Sequence, residues 1–253
     1  MAFTPDVVSH ATPVVGANGD ISWNHTCAAG ANKLVIQIGA GAGAGAVDRR
    51  NVASVTYNGV SCSQIGEVDD GNFEHGELWQ LNNPPTGSSF AIVVTMVGTG
   101  DINDQTVAGA VSFFDADPVV GAPSTNTTTS TNPVVTVADT LVGDFVIALA
   151  VSDSGNLATL TQNGTLLWED EDYGGGDSDA NAQSKIAIGK NTVCSWICSS
   201  SQLWCAIGVA IRPLGWNIPR ERSRSAFNPA YDAVDEGRFN ELDVRNWWCE
   251  AFA

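Results

Sequence analysis

The sequence predicts an all-β protein built as a β-sandwich. Short runs rich in β-branched and aromatic residues recur along the chain, and each ends at a turn signal such as Asn58-Gly59. Glycine occupies 26 of the 253 positions and only 15% of residues are charged, which is typical of strands joined by many turns rather than of helical bundles. The chain is long enough for one large β-domain or two small ones.

The runs predict about 11 strands before residue 213 and no helix there. Each run has strand length and a β-rich composition, and glycine, asparagine, aspartate or proline separates it from the next. In chain order they are 33–38, 53–57, 77–81, 90–96, 107–114, 134–137, 144–151, 165–168, 184–188, 193–197 and 203–211. The Thr/Asn/Pro segment 121–133 has nothing apolar to bury, so we interpret it as a crossing loop or linker.

Two stretches, 20–118 and 134–213, resemble each other weakly. LVIQIGAGA (34–42) matches FVIALAVSD (145–153), VTYNGV matches LTQNGT (160–165), and VAGAVSFFDADP (107–118) matches WCAIGVAIRP (204–213), in the same order. Three interpretations stay open: a duplicated strand set packed as one sandwich, two separate small β-domains, or a chance likeness among strands. We therefore treat 1–213 as the body.

The last residues, 214–253, differ in composition from the body. They carry seven aromatic residues and five arginines, and their charge is nearly balanced at +5 against −7. A helical face from about Tyr231 to Cys249 is compatible with the pattern, although Gly237 weakens it. Aromatics this dense must pack on something, either their own sandwich or another chain. The second interpretation makes this segment an extended, partly helical arm that anchors the protein.

The arm supplies the candidate partner-binding residues. Three of its arginines could pair with carboxylates of a neighbour, and its large aromatics could fill apolar pockets. These candidates are Trp216, Arg220, Arg222, Arg224, Phe227, Tyr231, Phe239, Trp247 and Trp248.

The charge of the chain argues against several classes of partner. A formal charge of −17 repels phosphate backbones and anionic lipid, so we expect neither nucleic-acid nor membrane binding. The N-terminus lacks the basic and apolar regions of a secretory signal, and no apolar run of 18 residues follows. The six cysteines lack zinc-type spacing, so most are expected to be small buried side chains.

No catalytic motif is recognisable. Gly39 to Ala46 (GAGAGAGA) is followed by a turn and another strand rather than by a helix, so it predicts a mobile loop at a sandwich tip instead of a dinucleotide site. Only three histidines are present, and GxSxG and HExxH are both absent. We expect no enzyme activity and no cofactor.

The acidic clusters are expected to be solvated loops rather than metal sites. If a metal does bind, oxygen-rich loops favour Ca²⁺. The first choice is then the stretch EDEDYGGGDSD, with candidate ligands Glu169, Asp170, Glu171, Asp172, Asp177 and Asp179.

Four tryptophans lie on or beside predicted strands. An exposed indole on a sandwich face would suit stacking on a sugar, but tryptophan within a strand is more often part of the core. A lectin-like module therefore remains an alternative function. The four are Trp79, Trp168, Trp196 and Trp204.

Several runs taken together resemble a β-sandwich domain of bacteriophage virion proteins and of some bacterial surface proteins. These runs are VTYNGV (55–60), ELWQLNNPPTG (77–87), AGAVSFFDADP (108–118) and VAIRP (209–213). The resemblance covers roughly 20–213. It implies a jelly-roll-like or lectin-like sandwich of about 11–12 strands displayed on a particle surface, and it implies no catalytic residue.

A stand-alone domain with an added arm fits an accessory capsid decoration (cement) protein of a tailed phage. The expected partners are other virion proteins, namely major capsid or tail proteins, and the expected location is the virion surface after assembly in the host cytoplasm. Self-association, with a trimer as the candidate symmetry, would multiply weak arm contacts. The alternative is a tail-fibre or receptor-binding module that recognises host glycans.

Overall fold

Every regular element of the described chain is a β-strand. The computed structural model describes residues 5–15, 20–41, 51–71, 74–97, 105–153, 160–170 and 178–215. The first half contains β1 (Pro5–His10), β2 (Val14–Val15), β3 (Ile21–Thr26), β4 (Lys33–Gly41), β5 (Val52–Tyr57), β6 (Val60–Ser61), β7 (Ser63–Asp69), β8 (Glu74–Asn82), β9 (Ser89–Met96) and β10 (Gln105–Phe113). The second half contains β11 (Ser124–Ser130), β12 (Val134–Val137), β13 (Phe145–Asp153), β14 (Thr161–Gln162), β15 (Thr165–Asp170), β16 (Ser178–Ile186), β17 (Thr192–Ile197) and β18 (Gln202–Ile211).

The all-β sandwich prediction is confirmed, but the strand count was too low. The predicted strands do not include β1, β3 and β7, which are partly exposed and more polar than the central strands. The prediction of a linker at 121–133 was wrong, because β11 pairs along its length with β18. Its Thr-rich sequence forms an edge strand whose side chains are mostly exposed, so it needs backbone hydrogen bonds and β propensity rather than apolar burial.

The strands form four layers. The first inner sheet has the order β1-β10-β4-β8-β7, with β2 also paired to β10, and the first outer sheet has the order β3-β9-β5-β6. The second inner sheet has the order β11-β18-β13-β16-β15, and the second outer sheet has the order β12-β17-β14. All pairings between named strands are antiparallel.

Three apolar clusters hold these layers together. One lies between the first outer and first inner sheets and includes Trp23, Ile36 and Ile92. A second lies between the two inner sheets and includes Val111 and Leu149. The third joins the second inner sheet to the second outer sheet. The order is therefore outer, inner, inner, outer, with a core in each of the three gaps.

The inner sheets explain the continuous apolar runs of the sequence. Every residue of β4 and of β10 is buried, because each inner sheet has a packed layer on both faces. A strand covered on both faces loses the alternation of apolar and polar residues that a half-exposed strand shows. Gly39 lies where the two inner sheets approach closely: a Cβ there would be 3.0 Å from methyl carbons of both Val107 and Val151. The expected tip loop thus begins later than predicted, since Gly39 to Gly41 belong to β4.

The two halves share one strand order. The second inner sheet has the order of the first, with β11, β18, β13, β16 and β15 in the places of β1, β10, β4, β8 and β7. In the outer sheets, β12-β17-β14 corresponds in the same way to β3-β9-β5. Even an irregularity recurs, because Ile65 of β7 and Leu167 of β15 each interrupt the pairing register as a β-bulge.

No helix in the described part of the chain is long and apolar enough to cross a membrane. The body closes with a bridge between Ala116 and Pro213. The predicted arm begins at this point, and its residues from 216 onward lie outside the described residues.

Candidate functional site

A compact group of titratable side chains lies on the face of β7 and β8 that is turned towards the first outer sheet. His75 and Glu77 are two residues apart on β8 and therefore share a face. Glu67 of β7 is the cross-strand partner of Glu77. One ligand atom from each of the three lies within 4.8 Å of the others, and no other group of this kind exists among the described residues. We call these three side chains the His–Glu–Glu cluster.

Glu77 is the centre of a dense hydrogen-bond network. Its Oε1 accepts from His75 Nε2 and from the Val52 amide, both at 2.8 Å. Its Oε2 accepts from Trp79 Nε1 at 2.7 Å and from Gln64 Nε2 at 2.9 Å. The Val52 bond also ties the inner sheet to β5 of the outer sheet.

This network sets the ionisation of Glu77. Burial by itself would raise the pKa of its carboxyl group, but the hydrogen bonds from His75, Val52 and Trp79 outweigh burial, so the pKa lies below its ordinary value. Glu77 is therefore an ionised carboxylate although it is fully buried. The Nδ1 atom of His75 is also buried and has no hydrogen-bond partner in the described structure.

The corresponding place in the second half carries different chemistry. The cross-strand pair Glu169 and Asn181 occupies the positions of Glu67 and Glu77, and Asp179 occupies that of His75. Here Asn181 Nδ2 donates to Glu169 Oε2 at 3.3 Å, while Asn181 Oδ1 accepts from Trp196 Nε1 at 2.9 Å.

Among the described residues, the candidate calcium ligands Glu169, Asp170 and Asp179 do not form one metal-binding group. Glu169 bonds to Asn181, whereas the next residue, Asp170, turns to the opposite face of β15, where its Oδ2 lies 3.7 Å from His10 Nδ1. Burial raises the pKa of Asp170 to about 6, the Glu169 charge adds to that rise, and His10 opposes it. Glu171, Asp172 and Asp177 lie outside the described residues.

The strand tryptophans belong to the core. All four that could have formed a sugar-stacking surface are at most 9% exposed, which removes them as the aromatic basis for a lectin. Each indole N–H still finds an acceptor within the protein, as buried indoles usually do. The acceptors are Glu77 Oε2 for Trp79, Gln37 Oε1 for Trp168, Asn181 Oδ1 for Trp196 and Ser130 Oγ for Trp204.

The described cysteines are also packed inside the protein. Four are buried, the fifth (Cys62) is half-buried, and none forms a disulfide. Burial raises the pKa of the Cys62 thiol to about 12 and those of Cys194 and Cys198 to about 11. Such thiols are poor nucleophiles at neutral pH.

A groove with a mixed polar and aliphatic lining opens on the surface of the second half. Its volume is about 480 Å³, and it lies between the end of β16 and the start of β17. Ile186, Ile188 and Val193 line it and are 51%, 90% and 46% exposed. Most of the other lining residues are polar, among them Lys185 and Asn163. Clustered exposed aliphatic side chains of this kind mark a surface for contact with another molecule.

The proposed arm contacts, from Trp216 to Trp248, lie outside the described residues. The sequence patterns predicted neither the His–Glu–Glu cluster nor the groove around Ile188. The His–Glu–Glu cluster could have been noticed from the alternation in Glu74-His75-Gly76-Glu77, since residues two apart on a strand share a face. Its third member, however, depends on the register between β7 and β8.

Comparisons with protein-family models, with curated proteins and with solved structures found no match to this chain. The resemblance to virion sandwich domains therefore stays a prediction from the sequence runs.

Proposed function

We propose that this protein is a non-enzymatic accessory protein of a tailed-phage virion, a decoration or cement protein whose sandwich body is displayed on the particle surface and whose segment 214–253 anchors it. The observation that carries the proposal is the strand order of each half. If eight strands of the first half are numbered β1, β3, β4, β5, β7, β8, β9 and β10 in turn, the inner sheet has the order 1-8-3-6-5 and the outer sheet 2-7-4.

This order supports a jelly roll in each half. In a jelly roll the first strand pairs with the last, and the second strand pairs with the last but one. In this protein the fifth strand lies at the edge of the inner sheet. Viral capsid proteins and lectins are frequent users of the jelly roll. The repetition of the order in β11 to β18, with the bulge at the matching place, supports an origin by internal duplication.

The surface of the body adds a second argument. The groove around Ile188 offers aliphatic area for a protein contact, as expected of a component that binds a shell. The burial of the strand tryptophans weakens the glycan-binding alternative relative to this one.

The test is particle decoration. The protein is added to particles that lack it, and bound copies are counted by quantitative mass spectrometry relative to the major shell protein. We expect the full chain to bind at abundance comparable to the shell protein, and a chain ending at residue 213 to stay folded but not bind. Normal decoration by the truncated chain would show that the arm is not the anchor.

A matched variant separates the groove from the arm. Ile188→Ser changes a side chain that is 90% exposed, so the fold should be unaffected while any contact through the groove weakens. A few copies per particle in the wild type would place the protein in the tail or a fibre instead, and absence from particles would refute the virion proposal.

A further inference from the structure

We propose that Glu67, His75 and Glu77 bind one divalent transition-metal ion of the zinc class. The three ligand atoms already lie within 4.8 Å of one another. Two ligands come from alternate residues of one strand and the third from the facing strand, so the backbone fixes all three directions. One neutral imidazole with two carboxylates supplies two negative charges for a divalent ion.

The type of donor selects the metal. Zinc accepts imidazole nitrogen together with carboxylate oxygen, whereas Ca²⁺ takes almost only oxygen ligands. In a tetrahedral zinc site, ligands at about 2.1 Å from the ion lie about 3.4 Å apart. His75 Nε2 and Glu77 Oε1 are 2.8 Å apart, so a small side-chain movement would admit the ion, provided that the proton on Nε2 moves to Nδ1, which has no hydrogen-bond partner in the described structure.

The remaining bonds of Glu77 would keep the carboxylate oriented. Its Oε1 would exchange the hydrogen bond from His75 for the metal and keep the Val52 amide, while Oε2 would keep Trp79 and Gln64. Hydrogen bonds of this kind from outside the ligand set orient metal ligands and tune their affinity. Glu67 is exposed while the other two are buried, which gives the ion a path from solvent.

The second half supplies an independent comparison. At the matching positions the amide of Asn181 donates to Glu169, so a neutral N–H group occupies the place where the first half sets a second carboxylate. The first half therefore has a carboxylate pair facing across two strands, in which the Gln64 amide donates to both carboxylates and His75 donates to Glu77. A bound cation would neutralise this pair, whereas the second half has Asp179 in place of the imidazole and therefore lacks the nitrogen ligand.

The experiment titrates Zn²⁺ into the full-length protein by calorimetry at neutral pH, with Co²⁺ absorption as the spectroscopic probe. We expect one ion per chain and a Co²⁺ spectrum without a thiolate charge-transfer band. Glu67→Gln, at an exposed position, and His75→Gln, whose amide can still donate to Glu77, should each weaken binding at least about tenfold. His10→Gln and Glu169→Gln are the matched controls and should bind as the wild type does.

Each contrary result refutes the proposal. It is overturned if the wild type binds no stoichiometric Zn²⁺, if the controls lose affinity as much as the two test variants, if a thiolate band shows that cysteines hold the ion, or if Ca²⁺ binds more tightly than Zn²⁺. Because Glu67→Gln should not affect folding, it decides the matter even if His75→Gln proves unstable. The result is independent of whether the protein binds particles.

Discussion

His25 of β3 is a neutral imidazole buried beneath the first outer sheet. Its Nδ1 atom lies 2.7 Å from Ser9 Oγ, and the same hydroxyl accepts from Trp23 Nε1 at 3.0 Å. Because the Ser9 hydroxyl accepts from Trp23, its own proton is free to be donated to His25. Burial lowers the pKa of His25 to about 4, against a smaller opposing influence from the Asp6 charge.

This lowered pKa predicts a loss of stability in acid. The unfolded chain takes up a proton at His25 near pH 6.5 and the folded chain only near pH 4, so the stabilisation is present above pH 6.5 and is lost as the pH falls towards 4. The amount is on the order of 3 kcal/mol in the free energy of unfolding. Urea unfolding at several pH values would measure it.

The variant His25→Gln provides the comparison. It should be less stable than the wild type at pH 7, because it loses ring packing, but its free energy of unfolding should fall less between pH 6.5 and 4. Equal slopes for the two proteins over this interval would show that His25 is not the group responsible.

Among the elements, the inner strands depend on close contacts that only glycine permits. Gly109 of β10 lies directly against the indole of Trp168 on β15, and this indole also donates to Gln37 Oε1 at 2.9 Å. At the matching place of the other half, Gly66 lies beside Pro123 and Ile207. At these two places a large side chain of one half packs against a glycine of the other half, so the close packing fixes the position of the two inner sheets relative to each other.

Gly109→Ala should therefore be strongly destabilising. Its Cβ would overlap the Trp168 ring, which is buried and hydrogen-bonded to Gln37, and we expect a loss of about 2–4 kcal/mol in the free energy of unfolding. Gly189→Ala is the matched control, because a Cβ there meets no atom within 4 Å. Chemical denaturation of both variants would measure the difference.

A double variant tests the cause. Adding Trp168→Phe removes part of the ring that the new methyl group meets, so it should recover some of the stability that Gly109→Ala loses. If the two effects simply add, the overlap with Trp168 is not the reason for the loss.

At the scale of the whole molecule, the central cluster draws residues from both halves. Val111 and Phe113 come from the first inner sheet, and Phe145 and Leu149 come from the second, with the Phe113 and Phe145 rings 5.3 Å apart in an edge-to-face arrangement. Without the other half, the inner sheet of each half would expose this apolar face to solvent.

We therefore expect the body to unfold as one cooperative unit. Scanning calorimetry of the full chain should give a single transition for the β-structure, with calorimetric and van't Hoff enthalpies in agreement. Fluorescence of Trp23 in the first half and Trp196 in the second, each isolated by replacing the other tryptophans with Phe, should report the same midpoint. Two separate transitions would mean that the halves are independent domains.

Much of the architecture was predictable from local patterns, while polar elements were not. The runs of β4, β9 and β18 are apolar enough to be recognised without a structure, as are the turns after Tyr57 and Asn82. The strand β11 was missed because a polar edge strand gains its stability from pairing, which sequence composition does not report. The Glu67 position in the His–Glu–Glu cluster was missed for the same reason, since it depends on strand register.

The sequence by itself determined an acidic all-β chain with two similar sets of strands and a C-terminal segment of different composition, because propensity, turn residues and charge are local properties. Only the tertiary structure decided which face each strand presents. The sequence match of 34–42 with 145–153 aligns Leu34 with Phe145. The strand pairing within each half instead gives Lys33 and Phe145 the equivalent positions in their two sheets, so the sequence match is displaced by one residue. A shift of one residue exchanges the two faces of a strand, so the partners across each layer are fixed by long-range pairing rather than by the local sequence.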